Sequence, residues 1–207
     1  MSILERSPTQ GGRRGPVEHD IRDQIVDAAR AHFSRYGYGK TTVADLAEAI
    51  GFSKAYIYKF FDSKQAIGQA ICVQCLDKML AAGAAGIADG KSATEKLRGF
   101  FNGITRMNAE LFFEDRLLYD IAVRSAEERW PSSTAYLSAI ETLVREVVQL
   151  GRETGEFERK TPIDEVCEAI VLVMKGFTDP PMLKYNLDNP PEATTKAVNL
   201  VLRSLAP

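Results

Sequence analysis

The sequence predicts an all-α fold. Apolar residues recur at the three- and four-residue spacing of helices along most of the chain, and no segment alternates with the period of two that marks a half-buried strand. Clusters of Gly, Pro, Ser, Thr and Asp fall between the periodic stretches, where they cap or stop helices. The 207 residues, 45% apolar and 26% charged, suit a soluble globular chain and exclude wholesale disorder. The longest uninterrupted apolar run, Ala169 to Met174, is six residues, against the roughly 20 of a membrane span, so no membrane partner is expected.

The elements follow in order. Residues 1–18 read as a disordered basic arm containing Arg13 and Arg14. Asp20 is placed to cap a helix beginning near Ile21, with a stripe at Ile21, Ile25, Ala28/Ala29, Phe33 and Tyr36 and an end at Gly37 and Gly39. Thr42-Val43-Ala44-Asp45 resembles a capping box opening a short second helix, with Val43, Leu46, Ala47 and Ile50 inward and Gly51 as its stop. Ser53 caps a third helix, whose Ile57 and Phe61 share one side. Asp62, with Gln65 three residues on, reads as the cap of a fourth helix reaching about residue 82. The small, Gly-rich stretch from Ala81 to Gly90 suggests a break. Further helices are expected at about 92–113, 115–129, 132–153, 163–178 and 191–205.

Charge is uneven. Residues 1–70 carry ten Lys/Arg against eight Asp/Glu, and residues 71–207 carry sixteen against twenty. Between Glu48 and Asp62 there is no acid, while Lys54 and Lys59 are present. A near-neutral total therefore does not exclude nucleic-acid binding, because the local distribution decides.

The informative stretch runs from Thr42 to Ile67. Two short helices separated by about three residues with a Gly form the DNA-reading helix-turn-helix. Ala47 is small enough for the helices to cross closely, Gly51 permits a turn with positive φ, and Phe52 plugs the gap. Ser53 leaves the next helix N-terminus pointing outward, favourable for a phosphate or base edge, with Lys54, Ala55, Tyr56 and Lys59 on the outward face.

Thr42, Leu46, Ala47, Gly51, Phe52, Ser53, Ile57, Tyr58, Phe60, Phe61, Ser63, Lys64 and Ile67 resemble the motif of the TetR family of bacterial transcription regulators. Phe52 is the less common choice at its position, and Lys59 stands where His is frequent. The resemblance implies a three-helix helix-turn-helix DNA-binding domain over residues 19–66, followed by an α-helical ligand-binding and dimerisation domain over residues 67–207. Carried over, Thr42 and Lys64 contact phosphates from helix N-termini, as do Tyr58 and Lys59 from the third helix, while Lys54, Ala55 and Tyr56 face base edges. The arm at Arg13-Arg14-Gly15-Pro16 resembles the minor-groove arms of the family, although its Arg/Gly order differs.

In the second half, Asn108 interrupts an apolar stripe, and a buried amide needs hydrogen-bond partners, either a ligand or a neighbouring helix. A mostly apolar effector pocket is expected around Phe101, Ile104, Met107, Asn108, Tyr119, Trp130, Tyr136 and Phe177. The helix at 163–178 is apolar nearly all round between Ala169 and Met174, which asks for burial on two faces. With the last helix it is expected, as in the family, to form the interface of a two-fold homodimer. Gly151, Gly155 and Phe157 before them also resemble the family.

The expected partners are a double-stranded DNA operator, a second copy of the chain and an unknown small-molecule effector. The three Cys make no disulfide framework, and the polar first fifteen residues lack the apolar core of a secretory signal. A cytoplasmic location is expected. Cys72 and Cys75 read as two small semi-buried residues, with an oxidation sensor as the alternative. His19 and His32 are too few for a His-rich metal site, and no Gly-rich phosphate loop or nucleophile–His arrangement is visible. No metal, cofactor or enzymatic activity is expected. Two rival functions are a DNA-binding assembly or nucleoid factor without small-molecule control, and an all-α enzyme with an incidental helix-turn-helix.

Overall fold

A computed structural model describes residues 16–183, 185 and 190–207, and over these the chain is helical with no strand. The order is α1 (Pro16–Tyr36), α2 (Val43–Ile50), α3 (Lys54–Ile57), α4 (Lys64–Asp89), α5 (Ala93–Glu114), α6 (Arg116–Glu127), α7 (Pro131–Thr154), α8 (Ile163–Thr178), α9 (Pro180–Leu183) and α10 (Pro190–Ser204). The single turn α9 has no counterpart in the helices expected from periodicity.

Three local expectations need correction. α1 begins at Pro16, inside the stretch read as an arm, so Asp20 lies within the helix and does not cap it. Proline suits a first helical position, because its missing N–H has no intrahelical partner to lose. The remainder of the arm, with Arg13 and Arg14, lies outside the described residues. The cap of α4 is Ser63, whose hydroxyl accepts from the Ala66 backbone N–H at 3.1 Å; Asp62 stands one residue too early.

The third correction concerns the small-residue stretch from Ala81, which is not a break. α4 runs through it to Asp89, and the missing side chains let α5 approach. A Cβ added to Gly86 would lie 2.2 Å from the Gly99 carbonyl oxygen, and one on Gly103 would lie 2.3 Å from that of Ala82. The two backbones are in direct contact, and α4–α5 is the most extensive helix pair in the fold.

α4 is central and also packs on α1, α6 and α7. By length and composition it is the one described helix apolar enough to cross a membrane. Here Ile67, Ile71, Leu76 and Met79 instead face the protein core, while Gln74, Asp77 and Lys78 are exposed. The expected domain boundary at residue 67 falls in the first turn of this helix. Buried apolar residues form one cluster that runs from Ile25 on α1 to Leu205 beyond α10.

The remaining helices complete the body. α10 lies on α5 and α8, fastened by Thr194 Oγ1 donating to Thr105 Oγ1 at 3.1 Å and by Arg98 donating to Asn199 at 3.0 Å. The α5 N-terminus is satisfied from a distance. The Glu156 carboxylate accepts from the Ala93 and Thr94 backbone N–H groups at 2.9 and 3.1 Å, which lowers its pKa.

Candidate functional site

The turn between α2 and α3 is built as its residues dictate. The Thr42 hydroxyl accepts from the Asp45 N–H while the Asp45 carboxylate accepts from the Thr42 N–H at 2.7 Å, closing a capping box that holds the Asp45 pKa down. Gly51 adopts φ 77°, the left-handed region that costs glycine least, and its N–H closes on α2. The Ser53 hydroxyl accepts from the Tyr56 N–H at 3.1 Å, so α3 begins immediately after the turn with an exposed N-terminus. α3 has four residues; beyond Ile57 the chain tightens into three-residue hydrogen bonds, Lys59 N to Tyr56 O and Phe60 N to Ile57 O. Ile57 and Phe61 are buried and hold this segment on the core.

On the outer side Thr42, Ser53, Lys54, Ala55, Tyr58 and Lys59 are exposed. Tyr56 is half-buried, edge-on to Phe52 and Phe60 at 5.0 and 5.3 Å between centroids. The two ammonium groups sit by the phenols: Lys54 Nζ lies 5.8 Å from the Tyr58 ring and Lys59 Nζ 5.5 Å from that of Tyr56. This is a short cationic and aromatic edge with no carboxylate of its own between Glu48 and Asp62.

Lys64 is differently engaged. Its ammonium donates to the Tyr38 and Thr41 carbonyl oxygens at 2.9 and 3.0 Å and lies 4.4 Å from the Tyr38 ring centroid. Burial, assisted by Arg124, pushes its pKa down. It thus holds the loop that delivers Thr42. A second strut was not apparent from the sequence: Arg22 of α1 donates to the Phe60 carbonyl at 2.7 Å and covers the Phe61 ring at 4.1 Å. A buried apolar stripe gives no sign of a cation at its edge. Tyr38 joins this region to the body, with its ring edge-on to Phe33 at 5.2 Å and to Trp130 at 6.0 Å.

The residues expected to form a pocket divide. Asn108 is fully buried and finds its partners within the protein: its amide donates to the Phe177 carbonyl at 3.3 Å and its oxygen accepts from the Tyr119 hydroxyl at 2.9 Å. The Tyr119 hydroxyl also reaches the Pro180 carbonyl at 3.1 Å, and the Tyr136 hydroxyl donates to Thr178 at the same distance. These bonds tie α5, α6 and α7 to the last turn of α8 and the start of α9. Burial raises the pKa of both phenols, and the nearby Asp179 carboxylate adds to it. Phe101 and Ile104 are core, Met107 and Phe177 pack at its margin, and Trp130 sits by Tyr38 and Gly68.

A partly enclosed cavity lies elsewhere, between α1, α4, α5 and α6, and holds about 210 Å³. Of the eight expected residues only Tyr119 borders it. Its walls include Ile71, Met79, Leu111, Leu118 and Ile121, with Cys72 and Cys75 beside them. α1 contributes Arg30 and Ser34, and the Ser34 hydroxyl donates to the Asp115 carboxylate across the seam. Cys72 and Cys75 are free thiols, and burial raises the pKa of each; Ser125 and Ser132 oppose this at Cys72, Arg30 and Lys78 at Cys75. Among the described residues no group of three His, Cys, Asp or Glu side chains is placed to hold a metal.

A compact helix-turn-helix head is thus joined by the long shared helix α4 to an all-α body, with a cavity between α1, α4, α5 and α6. The model of the family described as bacterial regulatory proteins, tetR family, matches residues 25–71, and that of the tetracyclin repressor-like C-terminal domain matches residues 93–199. The chain belongs to the TetR family of transcriptional regulators.

Over 60 residues it is 42% identical to the HTH-type transcriptional repressor Rv1474c of Mycobacterium tuberculosis, a match covering 29% of this chain and 32% of that protein. The chain thus aligns with about a third of the length of such curated relatives. Among solved structures, the TetR family regulator PfmR of Thermus thermophilus is 26% identical at a TM-score of 0.60, covering 88% of this chain and 99% of that one. The FadR regulator of Bacillus subtilis, solved with stearoyl-CoA, shares the fold at 16% identity and a TM-score of 0.66, over 88% and 98% of the two chains.

Proposed function

We propose that this chain is a cytoplasmic repressor that binds a near-palindromic operator as a homodimer and leaves it when a small hydrophobic or amphipathic effector binds the body. The observation that carries the reading is the exposed, Ser53-capped start of α3, with Lys54, Ala55, Tyr58 and Lys59 outward on an acid-free edge. Lys54, Ala55 and the free edge of Tyr56 meet bases. Thr42, Ser53, Tyr58 and Lys59 meet phosphates, and Lys64 supports them by fixing the loop before Thr42. Contacts to phosphate set register and affinity, and contacts to base edges set sequence.

The homodimer uses α8 and α10. Leu172 and Val173 on α8 are 69% and 50% exposed, and Leu200 on α10 is 63% exposed. Large apolar side chains gathered on two neighbouring helices favour a self-complementary face. Two copies place recognition helices about 34–36 Å apart, one turn of DNA. The effector acts by linkage, favouring a dimer whose spacing no longer fits the groove; couplings of this kind are about 1–3 kcal/mol. The chain acts by binding, with no turnover.

The test is selection of bound fragments from genomic DNA, followed by gel retardation and sizing. A dimer retaining a two-fold symmetric site is expected, with Leu172→Asp giving monomer. A chain that stays single and retains no fragment at low salt overturns the proposal.

A further inference from the structure

We infer that the cavity between α1, α4, α5 and α6 is the effector site, and that it takes a small, largely apolar monocarboxylate whose charge is met by Arg30 and Lys78. This rests on the regulator reading above and adds the place and the chemical class of the ligand.

Size comes first. About 210 Å³ lies below the roughly 300–1,000 Å³ of drug-sized sites, so a single ring or a short branched chain fits. The walls supplied by Met79, Leu111, Leu118 and Ile121 match such a body. The polar groups then select the head. Arg30 from α1 and Lys78 from α4 both line the cavity, the charge of each is felt at the Cys75 thiol, and among the described residues neither has a carboxylate within 4.0 Å.

Two acids also border the cavity. Asp115 is already engaged, accepting from the Ser34 hydroxyl and from the Leu118 N–H at 2.9 Å, and Glu114 is exposed in the last turn of α5. Burial holds both thiols toward their neutral form, and at the Cys75 end two cations, Arg30 and Lys78, stand against the one Asp115 carboxylate that reaches the same thiol. A carboxylate there adds ion pairing to its hydrogen bonds with the two cations, which a neutral head lacks and a cationic head opposes.

The location supplies the regulation. Arg30 and Ser34 belong to the same helix as Arg22, which holds the end of the recognition segment through Phe60. A ligand clasped by Arg30 from α1 and Lys78 from α4 therefore biases the angle between the head and the body directly.

The experiment is calorimetric titration of the full-length protein with benzoate and cyclohexanecarboxylate, and with benzamide and benzylamine as neutral and cationic counterparts. The two carboxylates are expected to bind at one site per chain. Lys78→Gln, at an exposed position that does not threaten folding, is expected to weaken binding about tenfold or more, as is Arg30→Gln. Ala122→Leu, which fills the apolar end and keeps both cations, is expected to abolish it. The inference is overturned if neither carboxylate binds at millimolar concentration, if benzamide or benzylamine binds as tightly, or if Lys78→Gln and Ala122→Leu leave the titration unchanged. No DNA is present in this assay, so loss of the regulator reading would show separately, as failure to retain any fragment.

Discussion

Gly86→Ala tests the contact on which the α4–α5 pair is built. In an isolated helix the change helps, because alanine exceeds glycine in helix propensity by about 1 kcal/mol. Here the new methyl would sit 2.2 Å from the Gly99 carbonyl oxygen and 2.3 Å from its carbon, about 1.2 Å short of the 3.4 Å where ordinary contact begins. Neither obstacle is a flexible side-chain end; both are backbone, so two packed helices must separate. Overpacking a tight interior costs about 1–3 kcal/mol, and a backbone obstacle belongs at the upper end of that range. The packing cost exceeds the propensity gain, leaving a net loss of about 1–2 kcal/mol. For a chain of this size that is a fall in Tm of about 2–8 °C. The assay is thermal unfolding followed by circular dichroism at one fixed protein concentration, since the stability of any self-associating chain depends on it. Ala84→Gly, at an exposed site on the same helix, calibrates the propensity term alone. A Gly86→Ala protein as stable as the parent, or more so, would refute the direct backbone contact.

Four further outcomes are expected. Lys64→Met should weaken DNA binding by loosening the loop before Thr42, with the salt dependence unchanged. Lys54→Ala and Lys59→Ala should each lower the slope of log K against log salt by about one unit, and a similar drop for Lys64→Met would show its ammonium reaching phosphate. Asn108→Ala should cost about 1–3 kcal/mol in urea unfolding, because the Phe177 carbonyl is left without its donor and Tyr119 loses a partner; an unchanged midpoint would contradict this. Asp179→Asn should raise stability at pH 7. Burial, only partly offset by Lys175 at 3.7 Å, raises the Asp179 pKa, and one carboxylate oxygen is buried without a partner. A raised acid contributes stability below its ordinary value of 3.8 that is lost as pH rises through the folded value. The advantage of Asn should therefore vanish in acid, and a less stable variant at neutral pH would reverse the argument.

Local chemistry was the most legible part of the sequence. The capping box at Thr42, the left-handed Gly51 and the Ser53 cap are decided by neighbours within four residues, and the structure has each as read. The helix over 163–178 matches to the residue, because Pro162 and the Asp179-Pro180 pair bound it sharply. Where two neighbouring residues could serve, as with Asp62 and Ser63, composition did not choose between them. The small residues beyond Ala81 misled for a physical reason: glycine in a helix signals either a weak point or a close neighbour, and the neighbour is α5, the next helix, folded back along α4. The cavity was hidden likewise. Arg30, Ser34 and Asp115 meet only through tertiary packing, while Asn108, conspicuous in its stripe, is satisfied by Tyr119 and Phe177.

Trp130 is the only tryptophan in the chain. Its indole N–H donates to Glu128 at 2.8 Å, and its ring rests against the Cα of Gly68, facing Tyr38. Light emitted by this one fluorophore therefore comes from the junction between the helix-turn-helix head and the helical body. A tilt of either past the other would change the polarity and quenching around it, so the unlabelled protein carries its own optical gauge of the proposed switch.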